Sequence, residues 1–259
     1  MTGDHSEFCL KLNNSDTVIV FIHGILGSPL QFHYLVDLLK SAYSVENLLL
    51  PGHGGTIRDF SASSMTVWQD YVDERIRRLQ NVYRNIFLVA HSMGCLLSVQ
   101  AALSYPEKIR GLFLLAIPLV IRVRSPFVGN RMIRAFQKNA SAEIAAAAKE
   151  SNSVRVAGAL SYLSALPRFA ELYFKSRKTR KLGGRLSLPI IVVHSENDET
   201  VSMKSLRFID HMPNVSIMIA RDSGHFYYPN AAKLLISDAL LHFIGQALED
   251  HRALAADVN

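Results

Sequence analysis

Residues 86–94 read Ile-Phe-Leu-Val-Ala-His-Ser-Met-Gly and set one serine at the junction of a buried strand and a helix. The run Ile86–Ala90 has the length and β-branched content of a strand buried on both faces. Cys95, Leu96, Val99 and Leu103 then repeat at helical spacing. Ala90 and Gly94 flank Ser92 at i−2 and i+2, where a sharp turn would drive larger side chains into the backbone. Such a turn lifts the hydroxyl clear of the sheet edge with a helix N-terminus beneath it. Free N–H groups and a partial positive charge then face any oxyanion formed there. The usual turn of this kind has Gly at the first flank, and Ala90 is the next smallest residue.

A serine hydroxyl is a poor nucleophile unless a base takes its proton and a carboxylate orients the base. The order expected for a serine on a strand-to-helix turn is Ser, then acid, then His. After a strand at 189–194 comes Ser195-Glu196-Asn197-Asp198-Glu199. Asp198 is the preferred carboxylate because it lies past the strand and just before a helix; Glu196 and Glu199 stay open as alternatives. After a strand at 215–220 comes Arg221-Asp222-Ser223-Gly224-His225. Of the ten histidines, His225 alone follows Asp198 in a loop past a strand, and it is the expected base. The oxyanion needs two converging N–H donors. Met93, directly after the serine, is one; Ile25, in the loop His23-Gly24-Ile25-Leu26-Gly27-Ser28, is the other, with Leu26 as its alternative. Gly24, Leu26 and His91 are expected to touch substrate. No metal site and no organic cofactor are expected.

The elements that must hold these residues alternate strand with helix, the pattern of a mostly parallel sheet covered on both faces. Strands are expected at Thr17–Ile22, Val45–Leu50, Ile86–Ala90, Gly111–Ile117, Pro189–His194 and Val215–Ala220. Helices are expected at Pro29–Ala42, behind a capping box at Thr66 and Gln69, after Ser92, at Met203–Met212 and at Ala231–Leu248, with a frayed tail after Glu249. Between Pro118 and Leu188 the rhythm stops, and helices are expected at Val128–Glu150 and Val154–Phe174. The α/β core is thus residues 1–117 and 189–259, and 118–188 is a helical, basic cap inserted between sheet strands. Ligands of open α/β sheets bind beyond the strand C-termini, so such a cap would wall the substrate pocket.

The chain has 259 residues, 49% of them hydrophobic and only two cysteines, Cys9 and Cys95. Two cysteines are no disulfide framework, and both are read as small apolar residues in a reducing cytoplasm. The first sixteen residues lack the apolar stretch of a secretory signal, and no run reaches the roughly 18 apolar residues of a membrane span. The net charge of +6 is uneven: residues 118–185 hold 14 Lys/Arg against Glu143, Glu150 and Glu171.

With these residues in view the chain resembles the α/β-hydrolase superfamily. The likeness rests on His23-Gly24-Ile25-Leu26-Gly27, Leu50-Pro51-Gly52-His53-Gly54, Ala90-His91-Ser92-Met93-Gly94, Asp198 and Gly224-His225. Ala-His-Ser-Met-Gly is similar to a variant turn of some bacterial lipases. The short first half and single insertion look most like bacterial monoacylglycerol lipases and small carboxylesterases. The resemblance implies an α/β-hydrolase fold, a triad of Ser92, Asp198 and His225, oxyanion donors at Ile25 and Met93, and hydrolysis of a carboxylic ester, a monoacylglycerol or another medium- or long-chain acyl ester, through an acyl-enzyme. The same residues would serve a carbon–carbon bond hydrolase, a lactonase or an amidase, and a non-catalytic receptor can retain the fold and pocket.

Two features of the insertion bear on substrate and partner. Leu160, Tyr162, Leu163, Leu166, Phe169, Leu172, Tyr173 and Phe174 would favour a medium or long acyl chain if some of them lined the pocket. Lys175, Arg177, Lys178, Arg180, Lys181 and Arg185 form a run without an acid, either a solvated surface or a dock for an anionic membrane surface. The run lacks interleaved aromatics, so nucleic acid is not expected.

Overall fold

The computed structural model describes residues 5–122, 142–155, 163–181 and 183–256. A seven-stranded sheet has the order β1-β3-β2-β4-β5-β6-β7. Its strands are β1 (Phe8–Leu10), β2 (Thr17–Ile22), β3 (Ser44–Leu48), β4 (Asn85–His91), β5 (Ile109–Leu115), β6 (Ile190–Ser195) and β7 (Val215–Ala220). All neighbours pair in parallel except β1, which runs antiparallel to β3. The helices are α1 (His33–Leu39), α2 (Ile57–Ala62), α3 (Met65–Leu79), α4 (Met93–Ser104), α5 (Ala142–Ser151), α6 (Leu166–Thr179) and α7 (Asn230–Ala256).

Side chains alternate across a strand, and β2 shows the consequence. Val18, Val20 and Ile22 enter one core, with Phe60, Trp68, Ile76 and Leu97 from α2, α3 and α4. Ile19 and Phe21 enter the other, with Leu35 of α1 and Ile236, Leu240 and Phe243 of α7. Phe21 and Trp68 are wholly buried, and truncating such a ring to Ala costs about 3–5 kcal/mol. The indole N–H of Trp68 donates to the Pro51 carbonyl at 2.8 Å, so its burial leaves no polar group unpaired.

The chain steps from β2 outward to β3, then returns to β4 on the other side of β2. The loops after β2 and β4 therefore diverge and leave a crevice, the usual place for a ligand on such a sheet. One loop carries Gly24–Ser28 and the other carries Ser92.

Several local expectations shift. Helix α3 starts from Ser64, whose hydroxyl accepts the Val67 N–H at 3.2 Å, not from a box at Thr66 and Gln69. Ser64 has the extended backbone a cap needs, and the earlier start buries Met65. The capping box belongs to α2, between Thr56 and Asp59. The expected helix Pro29–Ala42 is a 3-10 turn at Pro29–Phe32 followed by the shorter α1. Met203–Met212 holds a 3-10 turn, Met203–Phe208, started by the Ser202 hydroxyl. Helix α7 does not fray after Glu249 but runs to Ala256. Strand β1 was not expected, and its Cys9 is exposed rather than an apolar core residue, with its thiol 3.7 Å from Glu46. By length and composition α7 also passes for a membrane span. Its Ile236, Leu240 and Ile244 lie in the second core, so it is a core helix of the sheet.

Between β5 and β6 the described elements include α5 and α6. The helices expected at Val128–Glu150 and Val154–Phe174 fall partly outside the described residues, as do Leu160 and Tyr162. Of the remaining candidate lining residues, Leu172 is buried in the first core. Leu163, Leu166, Phe169, Tyr173 and Phe174 are exposed, so they line no enclosed pocket.

Candidate active site

Strand β4 ends at His91 and α4 begins at Met93, so Ser92 alone makes the turn. Its φ of 51° and ψ of −120° lie where a side chain is strained, a cost of about 1–3 kcal/mol that the surroundings must offset. The Ser92 N–H donates to the Leu115 carbonyl at 2.9 Å, and the Ser92 carbonyl accepts the Cys95 N–H at 3.0 Å. Gly94 packs on the backbone of β2 so closely that a Cβ there would stand 2.1 Å from the Ile22 oxygen. Only glycine lets α4 approach this near. Ala90 is fully buried.

Asp198 follows β6 and is fastened by its own backbone. One carboxylate oxygen accepts the N–H groups of Thr200 and Val201 at 2.8 and 2.7 Å. The other lies 2.8 Å from His225 Nδ1. A carboxylate only accepts, so Nδ1 carries the proton and Nε2 presents its lone pair. That lone pair faces the Ser92 hydroxyl at 3.2 Å. Burial opposes the Asp198 charge, but His225 beside it and the backbone donors outweigh that and hold the carboxyl at about 2. For His225, burial disfavours the cation, yet the charge and hydrogen bond of Asp198, with Glu199 nearby, raise it above the ordinary imidazole value. Ser92, Asp198 and His225 are all buried.

The other two carboxylates have different partners. Glu199 accepts the His225 backbone N–H at 3.0 Å, and Glu196 accepts that of Asp222 at 3.3 Å. The imidazole faces Asp198 alone of the three.

The loop after β2 closes as a turn, with the Gly27 N–H on the Gly24 carbonyl at 3.0 Å and Leu26 at φ 57°. Ile25 stands at its crest, and Met93 opens α4, where a helix leaves its first N–H groups without intrahelical acceptors. A Cβ on Gly24 would lie 2.9 Å from that of Ser92, so the missing side chain leaves room beside the hydroxyl.

Four residues, His23, Glu199, His91 and Ser153, brace this arrangement in roles the sequence did not assign them. Buried His23 donates from Nδ1 to the Gly24 carbonyl at 2.9 Å and accepts the Leu50 N–H on Nε2 at 3.0 Å. Burial holds it neutral, well below its ordinary pKa. Glu199, as described, fixes the backbone of His225. The ring of His91, expected to touch substrate, donates from Nε2 to the His225 carbonyl at 2.8 Å. Burial and then the neighbouring His225 push His91 down to about 3, so it stays neutral. Ser153, from the long connection between β5 and β6, donates its N–H to the Leu26 carbonyl at 3.1 Å and its hydroxyl to the Gly27 carbonyl. The same hydroxyl accepts the Gly54 N–H at 3.1 Å. No sequence signal marks Ser153, since its partners lie about a hundred positions away.

The sequence model of the alpha/beta hydrolase family matches residues 19–236. A pimeloyl-[acyl-carrier protein] methyl ester esterase of Yersinia enterocolitica is 31% identical over 97 residues, which are 38% of this chain and 35% of that protein. The chain thus spans about a third of that curated relative. Among solved structures, one from the metagenome-derived lipolytic enzymes LipS and LipT superposes with a TM-score of 0.73 at 20% identity, covering 93% of this chain and 98% of that one. The monoacylglycerol lipase of Paleococcus ferrophilus gives 0.67 at 17%, covering 93% and 99%. At these identities the structural likeness speaks for the fold. Proteins of the same fold with other chemistries also match.

Proposed function

The chain belongs to the alpha/beta hydrolase family, and from that premise we propose that it is a serine hydrolase cleaving carboxylic esters of medium or long acyl chains. The observation that carries the reading is the unbroken line from Asp198 through His225 to the Ser92 hydroxyl, 2.8 and 3.2 Å. In this reading His225 takes the Ser92 proton as the oxygen attacks the ester carbonyl. The N–H groups of Ile25 and Met93 receive the oxyanion, about 3–4 kcal/mol for each donor. His225 then protonates the leaving alcohol, and water activated by the same ring releases the acid. Asp198 keeps Nδ1 protonated and stabilises the imidazolium throughout. The acyl preference draws on the lipolytic and esterase relatives.

The test is labelling with a fluorophosphonate followed by peptide mapping, then a series of p-nitrophenyl esters of rising chain length. Label on Ser92, and turnover that rises with acyl length and vanishes in Ser92→Ala, is the expected result. A labelled serine without ester turnover would move the assignment to a lactone, amide or carbon–carbon bond. An unlabelled Ser92 would overturn it.

A further inference from the structure

Helix α6 turns large apolar side chains and cations outward. Its inner face packs on the sheet side of the molecule through Leu172, Ser176 and Thr179, all buried. The Ser176 hydroxyl donates to the Pro118 carbonyl at 2.6 Å. Glu171, the only acid between Ser151 and Ile190, takes the Met65 N–H at 2.8 Å and pairs with Arg168 at 2.6 Å. No carboxylate is therefore left for the outward face of this helix.

That face carries Leu166, Phe169 and Tyr173, stepped by three and then four along one helical stripe, with exposed Phe174 beside it, its ring centre 5.8 Å from that of Tyr173. Leu163 just precedes the helix. Leu166 is 58% exposed and Phe174 67%. Clustered large apolar side chains in water mark a contact surface. The stripe runs directly into exposed Arg177 and Lys178, with Lys181 and Arg185 exposed beyond. The Arg177 guanidinium lies 5.8 Å from the centre of the Tyr173 ring. Apolar and aromatic side chains bordered by cations suit the boundary between acyl chains and anionic headgroups. Two facing copies would bring these cations together without a carboxylate between them.

We propose that the outward face of α6 docks the protein on an anionic lipid surface, with Phe169, Tyr173 and Phe174 entering the headgroup boundary and Arg177, Lys178, Lys181 and Arg185 meeting lipid phosphates. This surface is independent of the hydrolase reading, so either can fail alone.

Co-sedimentation of the full chain with vesicles tests it. Phosphatidylcholine vesicles carrying about one part in three phosphatidylglycerol should bind the protein, and pure phosphatidylcholine vesicles should not. Binding should disappear near about 1 M salt, where the screening length falls to about 3 Å. The double variant R177E/K178E should weaken binding at least about 25-fold, each removed charge being worth about fivefold. Phe174→Ser should weaken it about tenfold or more, the value of one exposed phenyl ring entering an apolar medium. Both variants should keep their thermal midpoint and their labelling at Ser92. Equal binding to neutral vesicles, salt-insensitive binding, wild-type binding by both variants, or no binding would overturn the proposal. So would a concentration-dependent dimer that R177E/K178E leaves intact and Phe174→Ser dissolves, which would assign the face to a second copy.

Discussion

The turn at Ser92 and the outward face of α6 are opposite solutions to placing a residue. At the turn each position is pinned by backbone: Leu115 and Cys95 on Ser92, and Ile22 against Gly94. On α6, the side chains from Leu166 to Phe174 that point outward are exposed, and the inner face alone holds the helix. The first region gains a fixed geometry by giving up substitutions. The second keeps its tolerance and is constrained only by what it meets. The contrast implies that damage should fall steeply from one to the other.

Gly94→Ala is the strongest way to test that contrast. Its Cβ would collide with the Ile22 oxygen, and we expect a loss of at least about 4 kcal/mol, seen as little folded protein on chemical denaturation. A variant of near wild-type stability would mean that α4 can retreat from β2. Asp198→Asn should fold and lose about four orders of magnitude in kcat, because the imidazole no longer keeps its proton on Nδ1. Its pH profile carries a second reading. In the proposed mechanism His225 acts as a base only when neutral, and its folded pKa is raised, so wild-type kcat/KM should climb with pH through a midpoint above the ordinary imidazole value. In Asp198→Asn that midpoint should move down, since the charge that raises it is gone. A midpoint that stays put would assign the titration to another group.

Much of the candidate site was legible because strand and helix periods meet at Ser92. Ile86–Ala90 is apolar at every position, as a strand buried on both faces requires, and the spacing changes to helical right after Gly94. Legibility fades where several residues of one type compete within a turn of chain. Glu196, Asp198 and Glu199 all sit in the loop after β6, and their separate partners depend on backbone directions that residue type does not encode. Ser63, Ser64 and Thr66 are all competent caps, and the burial of Met65 decides between them. Strand β1 is three residues long and pairs only at the sheet edge, too short for any period. For α6, composition announced apolar and basic residues but not which of them point outward, because that follows from packing on α3 and α4.

Ser153→Ala lies between the extremes. It removes a hydroxyl shared by the Gly27 carbonyl and the Gly54 N–H, so a loss of about 1–3 kcal/mol is expected on urea denaturation. Turnover of a short ester should fall about tenfold with the label at Ser92 preserved, because the turn carrying Ile25 loosens. Unchanged turnover would show that this turn holds its shape unaided. The smallest effect belongs to Phe174→Ser, whose ring is 67% exposed and whose loss should shift stability by no more than about 0.5 kcal/mol. A larger loss would mean that this ring packs against the protein.

The fastening of Gly24–Ser28 by Ser153 also orders events in time. Its hydroxyl reaches the Gly27 carbonyl across 126 positions of chain, whereas β2, β3 and β4 can pair long before that span must close. Long closures are entropically slow. During renaturation, ellipticity of the parallel strands should recover ahead of reactivity toward a phosphonate, with competence arriving last.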